Sequence, residues 1–425
     1  MCSEKRRVIF HIDVNSAFLS WEAVYRLRHL GGTVDLRQET AAVGGDISQR
    51  HGIILAKSLS AKKYGIRTGE SIPEALRKCP DLLLVPPNYG LYQRCSQAFL
   101  RILREYSPAV EQFSIDEAFV DMTGTDLLWG DPVETARKIA GRIREELGFT
   151  VNIGVSSNKL LAKMASDFEK PDRVHTLFPE EVPEKMWPLP VGELFLVGRA
   201  TLRQLHLLNI HTIGQLAKAD PVLLRRHLKK QGETIRAFAN GQDVSLVREQ
   251  PEKNKGYGNS TTIAFDVQEE GTAKMVLLAL AETVGMRLRR AGVQAEVLTV
   301  AIKSHDLQYA THQMTLPSPT SVTCEIHQYA CRLFDELWDG RGIRLLGIHA
   351  GRLCGEGEPR QLNLFDTRDY SRAARAEQAV DGIRRRYGPD AVKRAVFVGN
   401  DRIDHLLGGI SREKRTVDYR KLEVL

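Results

Sequence analysis

Ser114-Ile115-Asp116-Glu117-Ala118 places two adjacent carboxylates between two short β-prone runs, Val110 to Phe113 and Ala118 to Met122. In a straight strand neighbouring side chains point to opposite faces, so Asp116 and Glu117 could not serve one ligand. A tight hairpin turn at this point brings both to one edge. Far upstream, Asp13 ends another strand-like run, Val8 to Val14. If the two strands pair, three carboxylates converge. They repel one another unless divalent cations neutralise them. That is the arrangement a two-metal phosphoryl-transfer site requires. The bland alternative, that Asp116 and Glu117 are merely turn residues, is decided by the rest of the chain.

Outward from the carboxylates, the elements read as an α+β core. Arg7 to Val14 is a buried strand, with Asn15 and Ser16 placed to cap a helix from Ala17 to about Leu30. The free amides of Ser16, Ala17 and Phe18 at that helix start suit phosphate oxygens, and Phe18 falls in the first turn, where its ring presses on whatever lies there. Thr40 to Leu55 carries Gly44-Gly45-Asp46 between apolar runs, a hairpin signal. The same string suggests a GGDEF-type cyclase, but the second acidic residue is missing and turn glycines explain it. Residues 56–78 read as two short helices broken at Gly65, carrying Lys57, Lys62 and Lys63, and prolines 80, 86 and 87 mark a boundary. Tyr89 to Tyr106 and Pro132 to Leu147 have helical periodicity. Phe149 to Ser156 is strand-like, and a helix from Asn158 to about Phe168 sets Lys159 and Lys163 on one face. This order gives a sheet covered on one face by helices.

Beyond residue 187 the chain changes character. Leu196-Val197-Gly198-Arg199, Leu202 to Leu208 and Ile210 to Leu216 resemble a helix-hairpin-helix, with a second unit expected at Leu223 to Gly241; such hairpins offer backbone amides to a phosphate. Glu249 to Gly258 is polar and turn-rich, a linker. Strand candidates at Asn259 to Phe265, Glu296 to His305, Gln308 to Leu316 and Arg344 to Leu353 alternate with helices at Gly271 to Ala291 and Val322 to Trp338, a βαββαβ-like unit of about one hundred residues. A basic, partly helical tail closes the chain.

Composition agrees with several domains and an anionic partner. The chain has 425 residues, 42% of them hydrophobic, and a net charge of +7. Basic clusters recur at Arg225-Arg226 with Lys229-Lys230, at 287–290 and at 384–386. The six cysteines form no CxxC pair, so neither a zinc site nor a disulfide framework is indicated. The N-terminus has too short an apolar run for a signal peptide, and no stretch approaches the length of a membrane span. A cytoplasmic monomer without membrane contact is expected.

Three pieces of sequence carry a resemblance when taken together: Ile12-Asp13-Val14-Asn15-Ser16-Ala17-Phe18, Ser114-Ile115-Asp116-Glu117-Ala118-Phe119 and Ile153-Gly154-Val155-Ser156-Ser157-Asn158-Lys159. In this order and spacing the chain resembles the Y-family of translesion DNA polymerases (the ImpB/MucB/SamB group) from residue 7 to about 365. The resemblance implies an α+β multidomain, right-hand architecture. A palm would occupy 1–16 and 86–174, small fingers 17–85, a helix-hairpin-helix thumb 175–245, a linker 246–258, a DNA-binding little finger 259–355 and a tail 356–425. It implies template-directed transfer of a dNTP onto a primer 3′-OH, with low fidelity and no proofreading, in damage bypass. Asp13, Asp116 and Glu117 take the catalytic, metal-binding positions, with the Val14 carbonyl as a further ligand to two Mg²⁺ ions. Ser16, Ala17, Phe18, Lys62 and Lys170 take nucleotide-binding positions, and Phe18 that of a steric gate against the ribose 2′-OH. Gln361, Leu362, Leu364 and Phe365 resemble a peptide that binds the sliding clamp.

Departures from the family pattern are specific. Leu59 stands where a tyrosine donates to the triphosphate, a bond worth about 1.5–3 kcal/mol. Lys62 replaces an arginine and loses the bidentate fork. Ala200 replaces a glycine of the first hairpin. The clamp peptide is not at the chain end. A second reading is therefore a catalytically weak accessory protein of mutagenesis.

Overall fold

The structure is a computed structural model and describes residues 6–45, 52–250, 252–355, 370–388 and 391–398. Its first sheet begins with β1 (Ile9–Val14), whose six residues are all buried. Helix α1 (Ala17–His29) follows at once. A small unit comes next: β2 (Ala41–Gly44), β3 (Ile54–Lys57), α2 (Leu59–Lys63), α3 (Ile72–Lys78) and β4 (Leu83–Val85), its strands ordered β3-β2-β4. The β2–β3 hairpin and the break at Gly65 are as the sequence suggested. Strand β4, parallel to β2, was not foreseen, because three residues between prolines carry no period.

Helix α4 (Tyr89–Tyr106) leads to β5 (Val110–Gln112) and β6 (Glu117–Asp121), then α5 (Asp126–Trp129), α6 (Pro132–Leu147), β7 (Val151–Ser156), α7 (Lys159–Ser166) and β8 (Val174–Thr176). The strands order as β5-β6-β1-β7-β8. Phe10, Ile12 and Val14 of β1, with Val151, Ile153 and Val155 of β7, bury one face against α1, α4 and α6. Large side chains such as these contribute about 1.5–3 kcal/mol each when fully buried. The expectation of a sheet covered on one face is corrected: α7 covers the other. Its close approach depends on Gly154, where a Cβ would lie 1.9 Å from the Ala162 carbonyl oxygen. His11 is buried on this second face, its Nδ1 2.7 Å from Ser166 Oγ.

Three helices follow, α8 (Arg199–Leu207), α9 (Ile213–Lys218) and α10 (Pro221–Ala239). Thr212 caps α9, its Oγ1 accepting from the Gln215 amide at 3.2 Å. The second hairpin unit expected at Leu223 to Gly241 is present within α10, whose two helical halves turn at Lys229 (φ 52°) with no intervening loop. The halves meet closely because residue 232 is glycine; a Cβ there would lie 2.6 Å from the Leu224 carbonyl oxygen.

The last sheet has the order β11-β10-β12-β9 and is antiparallel throughout. It comprises β9 (Gly256–Val267), β10 (Val293–Ser304), β11 (Tyr309–Thr320) and β12 (Ile343–Gly355), with α11 (Glu270–Arg290) and α12 (Thr323–Leu337) on one face. Strand β9 starts inside the stretch read as linker. Strand β11 runs past Leu316 through Pro317 and Pro319, which an edge strand tolerates. The tail supplies α13 (Tyr370–Tyr387), packed on this unit: Arg289, almost wholly buried, pairs with Glu377 and Asp381 at 2.7 Å each. Phe397 is fully buried in the same core. The residues 361–365 read as a clamp peptide lie outside the described residues. No described helix is long and apolar enough to cross a membrane.

Candidate active site

The carboxylates are placed by the pairing of β1 with β6. In the antiparallel register Asp13 stands opposite Glu117, so both project from the face that α7 covers. Asp116 precedes β6 in the turn, and its carbonyl accepts from the Val14 amide at 3.0 Å, tying the turn to the end of β1. Ser114 closes the hairpin. Its Oγ accepts from the amides of Asp116 (3.2 Å) and Glu117 (3.0 Å) and donates to Asp116 Oδ1 at 2.5 Å. The hairpin read from Asp116-Glu117 is therefore present.

Lysines now neutralise these acids. Lys163 Nζ donates to Glu117 Oε1 at 2.9 Å, and Lys159 to both oxygens of Glu111 at 2.8 Å. The shared face of α7 is thus a comb of cations laid on a row of carboxylates. Lys170 pairs with Asp13 and, at 2.8 Å, with Asp167. Its loop is held by Asn152, whose Nδ2 donates to the carbonyls of Ser166 (3.1 Å) and Glu169 (2.7 Å). Burial pushes the Asp13 carboxyl up to about 6; Lys170 opposes this and the charges of Glu117 and Asp116 add to it.

A cavity of about 470 Å³ opens beside the hairpin. Asp13, Val14, Ser16, Ala17, Phe18, Lys62, Asp116 and Lys170 all line it, so most of the sequence candidates meet in one place. Glu117 does not; its carboxylate is turned to Lys163. Ser16 differs in one respect from the reading. It occupies the helix N-cap with left-handed backbone (φ 46°) and its side chain caps nothing, while Ser20 Oγ donates to the Asn15 carbonyl at 2.6 Å. The amides of Ala17 and Phe18 open the helix and have no partner within it. Phe18 stacks flat on Tyr92, ring centroids 4.4 Å apart and planes 9° apart. Tyr92 in turn donates its hydroxyl to the buried Glu22 at 2.8 Å. The sequence reading left Arg37, Lys57, Thr68 and Thr150 unassigned, though all line the cavity. Lys57 was visible as a cation beside Lys62; Arg37 and Thr150 carry no local signal.

The donor chemistry fits a divalent cation. Oxygen-only side chains of Asp13, Asp116 and Glu117 suit hard ions, and Asp13 is buried beside two more acids, where its charge is costly unless paired. Among the described residues no three acids, histidines or cysteines are already grouped as a formed metal site, and Glu117 is paired with Lys163.

The model of the impB/mucB/samB family matches residues 12–167, that of its C-terminal domain residues 254–364 and that of the IMS family HHH motif residues 179–210. The chain belongs to the impB/mucB/samB family. The family's DNA polymerase IV from Clostridium acetobutylicum is 43% identical over 392 residues, covering 92% of this chain and 98% of that one. DNA polymerase IV of Acetivibrio thermocellus is 37% identical, with the same two coverages. DNA polymerase IV 1 of Bacillus subtilis is 36% identical, covering 92% of this chain and 93% of that one. The family's fold is seen in a solved Y-family DNA polymerase chimera, Dbh-Dpo4(243-245)-Dbh, with a TM-score of 0.70 and 21% identity, covering 81% of this chain and 99% of that one.

Proposed function

We propose that the cavity is the active site of a DNA-directed DNA polymerase of the translesion type, extending a primer 3′-OH with a dNTP under the direction of a template. The observation that carries this reading is the convergence of Asp13 and Asp116 on a cavity that Phe18 and Lys170 also line, with Glu117 opposite Asp13. When bound, two Mg²⁺ ions would supply charge neutralisation and a more acidic primer hydroxyl. Asp13, Asp116, Glu117 and the Val14 carbonyl would hold them. The amides of Ala17 and Phe18, with Ser16, Lys62 and Lys170, receive the polyphosphate of the dNTP. The Phe18 ring, fixed against Tyr92, blocks the place of a ribose 2′-OH and so selects deoxynucleotides by repulsion. The remaining barrier is met by positioning.

In this reading residues 1–16 and 86–174 are the palm, 17–85 the fingers, 175–245 the thumb, 246–258 the linker and 259–355 the little finger. Thumb and little finger track duplex phosphates. The small unit around β2–β4 checks the nascent pair loosely, which gives low fidelity and tolerance of damaged templates, and no exonuclease motif is apparent in the sequence to proofread. Residues 361–365 recruit the sliding clamp to a cytoplasmic monomer. The accessory-protein alternative has no observation in its favour, since all three carboxylates are present.

Primer extension with one dNTP at a time, beside the matching rNTP, tests the reading. The double variant Asp116→Ala, Glu117→Ala should lose extension by at least about a thousandfold and keep primer–template affinity. Extension that survives the double substitution sinks the metal assignment.

A further inference from the structure

Lys57 ends β3, and its side chain enters the same cavity as Asp13, Asp116 and Phe18. The stem is half-buried, and Nζ donates to Thr68 Oγ1 at 3.2 Å. Lys62, on the following helix, lines the cavity too. The other cations around the cavity are already engaged. Arg37 is held by Asp35 and the Gly148 carbonyl, and Lys170 by Asp13 and Asp167. Neither Lys57 nor Lys62 forms an ion pair among the described residues. The acid that Lys57 feels, Glu70, is bound by Lys78 Nζ at 2.5 Å. Burial and the charge of Lys62 together hold the Lys57 ammonium below the ordinary lysine range. Two like charges in a partly desolvated wall are unfavourable until an anion neutralises them.

We propose that Lys57, with Lys62, binds the polyphosphate of the incoming nucleotide and supplies the contact that Leu59 cannot make. The inference rests on the polymerase reading of this cavity and names a residue that neither the sequence motifs nor the family resemblance assigns. A nucleobase would offer neutral acceptors and leave two positive charges uncompensated. A polyphosphate carries several negative charges along a length that two neighbouring ammonium groups can span. An ammonium is a compact point charge that binds phosphate without needing a fixed fork, so the paired lysines are a chemical substitute for one arginine and one tyrosine. Thr68 steers Nζ while leaving two of its three N–H groups for the ligand.

The test is single-nucleotide incorporation by the full chain on saturating primer–template, beside inhibition by inorganic tripolyphosphate with Mg²⁺. Lys57→Ala and Lys57→Met should raise KM for the dNTP about tenfold or more, with kcat little changed, and Lys57→Arg should restore most of it. Lys57→Met keeps the apolar stem and so guards against loss of fold. Tripolyphosphate should inhibit both neutral variants more weakly by a similar factor. An unchanged KM overturns the proposal. So does a raised KM with tripolyphosphate inhibition intact, which marks a base contact, or a weakened primer–template affinity in its place, which marks a template contact. A wild-type chain that binds duplex yet extends nothing overturns the polymerase reading itself, a different failure.

Discussion

The two walls of the cavity are built on opposite plans. The carboxylate wall rises from paired strands, β1 against β6, and its acids already have partners, Lys170 for Asp13 and Ser114 for Asp116, while Glu117, outside the cavity lining, is paired with Lys163. The opposite wall comes from the end of β3 and a five-residue helix, with Lys57 and Lys62 lacking acids among the described residues and Leu59 55% exposed. In the proposed reading the first wall is preorganised and would exchange its lysines for metal ions, and the second would be completed by its ligand, so that geometry is fixed where bonds would be made and broken and adaptable where the substrate would be held.

The comparison is broken most directly at Asp13. Its carboxyl is raised from 3.8 to about 6 in the fold, so the folded chain holds an extra proton between those values. The stability this contributes is full below about pH 4 and is lost as pH rises through about 6, a change of about 3 kcal/mol for two pH units. Thermal melts of metal-free protein should show the decline, and Asp13→Asn should flatten it. A slope identical in both proteins would mean that burial at β1 does not strain this acid.

A second experiment tests whether the rigid plan extends to the sugar. Phe18→Ala should raise ribonucleotide incorporation relative to deoxynucleotide on the order of a hundredfold, since steric exclusion is then absent. Tyr92→Phe keeps the stacked ring but removes its bond to Glu22, and its effect should be several-fold smaller. Equal effects of the two substitutions would place the control in the hydroxyl rather than in the ring. The smallest effect is expected on the adaptable wall. Leu59→Tyr should change KM for the dNTP by no more than about twofold in the same incorporation assay, since Lys57 and Lys62 already supply that contact. A fall in KM of about tenfold would mean that the two lysines leave a phosphate contact open.

How much of this was legible in sequence follows from what each element required. The hairpin at Asp116-Glu117 was legible because two carboxylates between β-prone runs allow few alternatives. The tight packing of α7 was not, since Gly154 reads as an ordinary strand residue until Ala162 is seen against it. The strands β4 and β8 have three residues each, too short to show a period, and are defined by their neighbours. In the site, Asp13, Phe18, Lys62 and Lys170 could be named because motifs carry them. Lys57 could be seen but not assigned, because its meaning depends on the acids that other elements withhold from it. Glu22 lies in a helix whose apolar face gives no hint of a buried carboxylate, and Tyr92, its partner, is seventy residues away.

The packing of α13 has one more consequence. Arg289 joins Glu377 and Asp381, Arg384 joins Glu282 at 3.2 Å, and Phe397 is enclosed by the core of the last sheet and its helices. The covalent link between Gly355 and Tyr370 is therefore not the sole bond between the C-terminal segment and the rest. A protease that cuts between these residues should yield two fragments that travel as one species through a sizing column and part when high salt or denaturant weakens their ion pairs. Expressed as separate polypeptides, the same halves should find each other and reassemble.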